Sequence, residues 1–268
     1  MPVQIMSASG RCALRTRGKL WMNEFLNCSR QLPARNEPAY ELIDRLEAPL
    51  RRVMSVVTLS FDNGPEPDVT PGVLDVLQRR NIRASFFVVA SKPCVPGRRV
   101  IAERAAAEGH WIGNHTFSHS TPLGQCEDAN APEEEIGRTQ VLIGNLASPQ
   151  RWFRPFGRGG ELGAHLLSPA ALDYLTAGRF TCVLWNAVPR DWEDPQGWVG
   201  RALAQCRTMP WALLVLHDLP TKAMAHLDRF IGAVWDQGGS FRQDYPPDLM
   251  PVRSGQIALP LDGILASR

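Results

Sequence analysis

Between residues 54 and 237 a short apolar run is followed again and again by an amphipathic segment of helical length, and this alternation constrains the fold more than any other property of the chain. The runs SVVTLSF, ASFFVVA, HWIGN, RWFRP, FTCVLWNAV and WALLVLHD have the length and the β-branched or aromatic content of strands. The intervening and following segments TPGVLDVLQRR, GRRVIAERAAAEG, PEEEIGRTQVLIGNLA, SPAALDYLTAG, PQGWVGRALAQC and TKAMAHLDRFIGAVWDQGG repeat apolar residues at helical spacing. Strand then helix, repeated, predicts an α/β fold in which helices cover a parallel sheet, either doubly wound or closed into a barrel. Both architectures carry their working groups at the C-terminal ends of the strands. Polar residues gather at those ends here, in SFDNGP, GNH and VLHD.

A chain of 268 residues that is 44% hydrophobic and 21% charged has the composition of a globular protein with a sizeable core. A net charge of +2 is too small to imply nucleic acid or a membrane surface as partner. No apolar run approaches the roughly 18 residues of a membrane span. The cysteines, Cys12, Cys28, Cys94, Cys126, Cys182 and Cys206, are scattered without CxxC spacing, which predicts reduced thiols and a cytoplasmic location.

The first 53 residues stand apart, with nine basic against five acidic side chains. They lack the apolar block of a secretory signal. They read as an N-terminal extension, partly disordered, with one helix at PAYELIDRLEAPLRRV and with Met54 as an alternative start of translation. The domain itself is expected over residues 54–240, and the Pro-rich residues 241–268 are expected to form a wrapping or loose C-terminal tail.

Two stretches carry most of the chemistry. LSFDNGP sets Asp62 and Asn63 in a turn after a strand, where Asn63 reads as a metal ligand, as a damaged one, or as a turn residue. In GNHTFSH, His115 and His119 stand four apart, and on a helical turn that spacing points both imidazoles to one side, where two nitrogens can occupy adjacent positions on a zinc ion. Taken singly, Arg154 reads equally well as a structural ion-pair partner, Trp192 as a core aromatic, and His217 as a hydrogen-bonded residue at a strand end. The run EDANAPEEE reads as a solvated loop leading into a helix N-terminus, where acids suit the dipole.

Taken together and in order, LSFDNGP, GNHTFSH, WFRPFG, PRDW and VLHD resemble the five motifs of the polysaccharide deacetylases, carbohydrate esterase family 4, which carry the NodB homology domain. The resemblance runs from about residue 54 to about residue 237. It implies a single-domain distorted (β/α) barrel with a divalent metal, commonly zinc, that removes acetyl groups from N- or O-acetylated sugars. An acetylated oligosaccharide or sugar conjugate is then the expected partner.

Position by position, the resemblance makes Asp62 the base that takes a proton from water, and His115 and His119 the metal-binding histidines. Arg154 corresponds to the arginine that fixes the base carboxylate, and Asp191 to the acid that orients His217, the proton donor to the leaving group. Trp192, Val215 and Leu216 resemble the small apolar pocket for the acetyl methyl. Phe156 offers its backbone N–H to the oxyanion. The chain departs from the pattern in two places: Asn63 stands where the family has a second, metal-binding aspartate, and FRPFG is one residue shorter than the usual third motif. A neutral carboxamide oxygen holds a cation less firmly than a carboxylate. Two further readings therefore stay open, a metal-independent hydrolase of a ureide or formamide and a carbohydrate-binding pseudoenzyme.

Overall fold

The computed structural model describes residues 55–92 and 97–267. The extension predicted over residues 1–53 lies outside these. Along the chain run β1 (Val56–Asp62), α1 (Thr70–Arg79), β2 (Ser85–Val88), α2 (Arg98–Ala107), β3 (Trp111–Asn114), a π-helical turn (Glu133–Gly137) leading into α3 (Arg138–Ile143), β4 (Trp152–Phe153), α4 (Pro169–Ala177), β5 (Thr181–Cys182), α5 (Trp198–Cys206), β6 (Trp211–His217) and α6 (Leu227–Asp236). Three short strands complete the chain, β7 (Ser240–Arg242), β8 (Val252–Arg253) and β9 (Gln256–Ile257). All six expected strands and all six expected helical segments form.

The helices follow from local sequence. In α6, Leu227, Phe230, Ile231 and Val234 repeat at helical spacing and all four are buried. In α4, Ser168 caps the N-terminus by accepting from Ala171 N–H at 3.1 Å, with Pro169 at the first helical position. Helix α3 is shorter than the sequence suggested, because its first turn is π-helical and Gly144 ends it at φ 57°. No helix among the described residues is long and apolar enough to cross a membrane.

The strands lie in the order β6-β1-β2-β3-β4-β5, all parallel, and β8 and β9 extend the sheet antiparallel beyond β5. The chain after β5 returns to β6, where Ala187 bridges Leu214. That bridge curls the sheet into a distorted barrel. Side chains then divide with the period of two that a strand imposes. On β1, Val57, Leu59 and Phe61 enter the outer core beneath the helices, while Ser60 and Asp62 face inward. On β6, Ala212, Leu214 and Leu216 join that same outer core, and Leu213 and Val215 belong to the inner clusters.

Residues 241–267 wrap against the barrel. β7 pairs with the first half of β1. Tyr245, 3% exposed, packs edge-on against Trp152 and Trp111 and donates its hydroxyl to Ser85 Oγ at 2.7 Å. These neighbours sit on β2, β3 and the start of β4, so the segment closes the N-terminal end of the barrel. The proline content had left a wrapping and a loose end both open, and burial of Tyr245, Leu249 and Val252 decides for wrapping, against a floor that no local pattern encodes.

Candidate active site

The other end of the barrel is open. Asp62 ends β1 and His217 ends β6, and the parallel register sets them side by side. Both line a cavity of about 240 Å³ together with Asn63, His115, His119, Phe156 and Trp192. Seven residues singled out from sequence thus meet in one concavity.

Two buried pairs supply proton-handling groups. Arg154 is fully buried behind Asp62, and its Nη1 donates to Asp62 Oδ1 and to Ser60 Oγ, each at 2.8 Å. Its other nitrogens reach the carbonyls of Val183 at 3.3 Å and Leu184 at 3.4 Å. The guanidinium also lies 4.0 Å from the centroid of the Phe87 ring. A guanidinium held on so many sides fixes one carboxylate oxygen of Asp62 and leaves Oδ2 to the cavity side, 3.6 Å from His115 Nε2.

The second pair is His217 with Asp191. Asp191, fully buried, accepts from His217 N–H at 3.0 Å through Oδ2 and from His217 Nδ1–H at 2.9 Å through Oδ1. That double contact fixes the tautomer and turns Nε2 away from Asp191. Burial by itself lowers the His217 pKa, but the hydrogen bond and charge of Asp191 outweigh it and the value is raised. A proton therefore resides readily on this ring. Trp192 packs edge-on to His217 with ring centroids 4.6 Å apart.

His115 and His119 are held in a different state. Burial lowers the His115 pKa, and burial with the neighbouring His115 lowers that of His119 to about 2. Both rings are neutral at ordinary pH. His115 Nδ1–H donates to the Arg154 carbonyl at 2.9 Å, which leaves the lone pair on Nε2 free, as in a metal-binding imidazole oriented by a backbone carbonyl. The ring centroids of the two histidines are 4.8 Å apart. The helical turn expected for GNHTFSH does not form. β3 ends at Asn114, Thr116 and His119 adopt positive φ of 67° and 54°, and a loop rather than a helix brings the rings together.

Asn63 adopts φ 76°, a conformation that Asn tolerates better than most residues, so the turn itself accounts for part of its presence. The turn does not account for its side chain. Asn63 Oδ1 is buried and has no hydrogen-bond partner among the described residues. An orphaned acceptor in a polar cavity calls for a ligand. Among the described residues no group of three His, Cys, Asp or Glu side chains is arranged to hold a metal ion. The donors gathered here are two neutral imidazoles and one carboxamide oxygen, a mixed nitrogen and oxygen set of the kind a divalent cation accepts, but without the charge of a carboxylate.

One sequence expectation is corrected. Leu216 does not line the cavity; it is fully buried in the outer core, because strand alternation turns it away from the side of His217. Val215, Trp192 and Leu219 form the apolar lining near His217 instead. Phe156 does line the cavity, its ring 3.8 Å from that of His119 by centroids, and its N–H makes no hydrogen bond among the described residues. Sequence reasoning missed Trp185 and Leu219 as lining residues, and missed Glu135, which reaches the histidine loop from the π-helical turn. Nothing local in EDANAPEEE distinguishes Glu135 from its neighbours.

A parallel barrel whose strand ends bring an arginine-held carboxylate, a carboxylate-held histidine and a neutral histidine pair into one cavity defines a hydrolase-type site with separate proton acceptor and donor. Residues 52–166 match the family described as polysaccharide deacetylase. The chain is 37% identical over 164 residues to a chitooligosaccharide deacetylase of Rhizobium leguminosarum bv. trifolii, covering 60% of this chain and 71% of the relative. It is 34% identical over 166 residues to a chitooligosaccharide deacetylase of Bradyrhizobium sp. (strain ANU 289), covering 60% of this chain and 70% of the relative. Among solved structures, the T48 deacetylase with substrate superposes with a TM-score of 0.58 at 28% identity, covering 72% of this chain and 90% of that one. The chain belongs to the polysaccharide deacetylase family.

Proposed function

We propose that this protein hydrolyses the N-acetyl amide of a sugar, with an acetylated oligosaccharide of the chitooligosaccharide kind as substrate. The observation that carries the reading is the opening of both buried pairs, Asp62 with Arg154 and His217 with Asp191, into one cavity beside a neutral histidine pair. Amide hydrolysis needs that combination. Water must lose a proton as it attacks the carbonyl, and the departing nitrogen must gain one.

Asp62 accepts the proton of the attacking water at Oδ2, the oxygen that Arg154 does not occupy. Arg154 holds the other oxygen, so the carboxylate keeps one orientation through the step. His217 delivers a proton from Nε2 to the departing nitrogen, and Asp191 stabilises the imidazolium that precedes the transfer. The free N–H of Phe156 is available to the oxygen that gains negative charge. Val215, Trp192 and Leu219 line the cavity near His217 and suit the acetyl methyl. We assign Asn63, His115 and His119 as the residues that would hold a divalent metal, zinc by donor chemistry; when bound it would polarise the carbonyl and acidify water.

The test is acetate release from N-acetylated chitooligosaccharides, before and after a chelator and again after zinc is restored, with Asp62→Asn as the blank. Release that Asp62→Asn abolishes supports the reading. A rate no greater than that of Asp62→Asn overturns it, and a rate indifferent to the chelator removes the metal.

A further inference from the structure

We propose that Glu135 is the positioning residue for His119, holding the loop that presents this ring and so setting how tightly the site takes a metal. The inference rests on the metal assignment above for its consequence, though not for its geometry. Glu135 lies in the π-helical turn, outside the cavity, and touches neither His119 nor any other cavity residue through a hydrogen bond among the described residues. Its carboxylate binds the loop instead. Oε2 accepts from Phe117 N–H and from Ser118 N–H, both at 2.9 Å, and Oε1 accepts from Ser118 Oγ at 2.7 Å.

Such a clamp is needed because of the backbone it restrains. Thr116 and His119 flank the clamped pair, and both sit at positive φ, a region that a β-branched threonine rarely enters. Strained backbone of this kind persists only where surrounding contacts over-determine it. Two convergent N–H groups on one ionised oxygen form charge-assisted bonds, stronger than their neutral counterparts. Further ties come from the same stretch of chain. Asn114 Nδ2 donates to the Ile136 carbonyl at 2.9 Å while Asn114 Oδ1 accepts from Thr116 N–H at 3.1 Å, and the Arg138 guanidinium lies 3.7 Å from the Phe117 ring centroid. The π-helical turn thus acts as the splint of the histidine loop, with Glu135 its densest contact. His115 is held separately, by the Arg154 carbonyl, so losing Glu135 frees one histidine and spares the other.

Zinc titration of the full chain, as wild type, Glu135→Ala, Glu135→Gln and His119→Ala, tests the inference. Loss of supporting groups around metal ligands typically weakens affinity by about 10- to 100-fold. Glu135→Ala is expected to fall in that range, while Glu135→Gln, whose amide oxygen still accepts both N–H groups, stays within about threefold of wild type. In metal-free protein the His119 ring signals in NMR, sensitive to the Phe156 ring beside it, should move in Glu135→Ala and not in Glu135→Gln. Unchanged zinc affinity in Glu135→Ala, with only a lower unfolding temperature, would reduce Glu135 to a structural role and overturn the proposal. If wild type takes up no zinc the metal assignment fails, and the His119 signals alone then decide: movement in Glu135→Ala rescued by Gln upholds the positioning, and no movement overturns it.

Discussion

Arg154 holds Asp62 through a single 2.8 Å bond from Nη1 to Oδ1, across 92 positions of sequence and inside the barrel where Arg154 has no contact with solvent. The arginine is a buried support for the Asp62 carboxylate rather than a surface ion pair. Asp62→Asn is therefore expected to keep the fold, since its carboxamide oxygen still accepts from Arg154, while turnover falls by about 10² to 10⁴. Arg154→Ala leaves the carboxylate buried without its partner and is expected to cost about 3 to 5 kcal/mol of stability. Acetate release and chemical denaturation of the two variants measure these effects.

In the proposed mechanism His217 is the donor, and its raised pKa sets the sign of a pH effect. The protonated ring persists from below the ordinary histidine value up to the raised one, so turnover should decline as pH climbs through the raised value. In Asp191→Asn the anion is gone and burial, which opposes protonation, dominates. The alkaline limb of the rate profile should then move to lower pH. An unshifted limb would assign it to another group. His217→Ala should lose about 10² to 10⁴ in turnover, and combined with Asp62→Asn the losses should fall short of their product.

Asn63 supplies a neutral oxygen where a carboxylate would hold a cation more firmly. Asn63→Asp is expected to tighten zinc on the order of tenfold, about 1.4 kcal/mol, with His119→Ala as the control that loses it. Calorimetric titration reads both. Equal affinities for wild type and Asn63→Asp would remove Asn63 from the ligand set and leave it a turn residue.

Tyr245 seals the barrel floor far from the chemistry. Truncation to alanine opens a cavity among Trp111, Trp152 and Phe87 and should cost about 3 to 5 kcal/mol. Tyr245→Phe, which loses only the bond to Ser85 Oγ, should cost about 1 kcal/mol. Thermal denaturation separates the two, and a silent Tyr245→Ala would mean that residues past 240 are dispensable to the fold.

By itself the sequence determined the order of strands and helices, since strand alternation and helical spacing are properties of neighbouring residues. It also singled out Asp62, His115, His119, Arg154, Asp191 and His217, which occur in short ordered motifs and which the fold brings to one cavity or to the buried pairs beside it. Tertiary structure decided the rest. Whether Val215 or Leu216 faces the cavity depends on the phase of β6 relative to β1, and a one-residue change of phase exchanges the two faces. Whether His115 and His119 meet on a helix or on a loop depends on a clamp from Glu135, 16 and 20 positions away by sequence number, which the spacing of two histidines does not record. Whether residues 241–267 hang free or close the floor depends on the rings of Phe87, Trp111 and Trp152, from distant strands, meeting at Tyr245. Local preferences are encoded by residues close in sequence, whereas burial and long-range hydrogen bonds exist only once the chain has brought remote residues together.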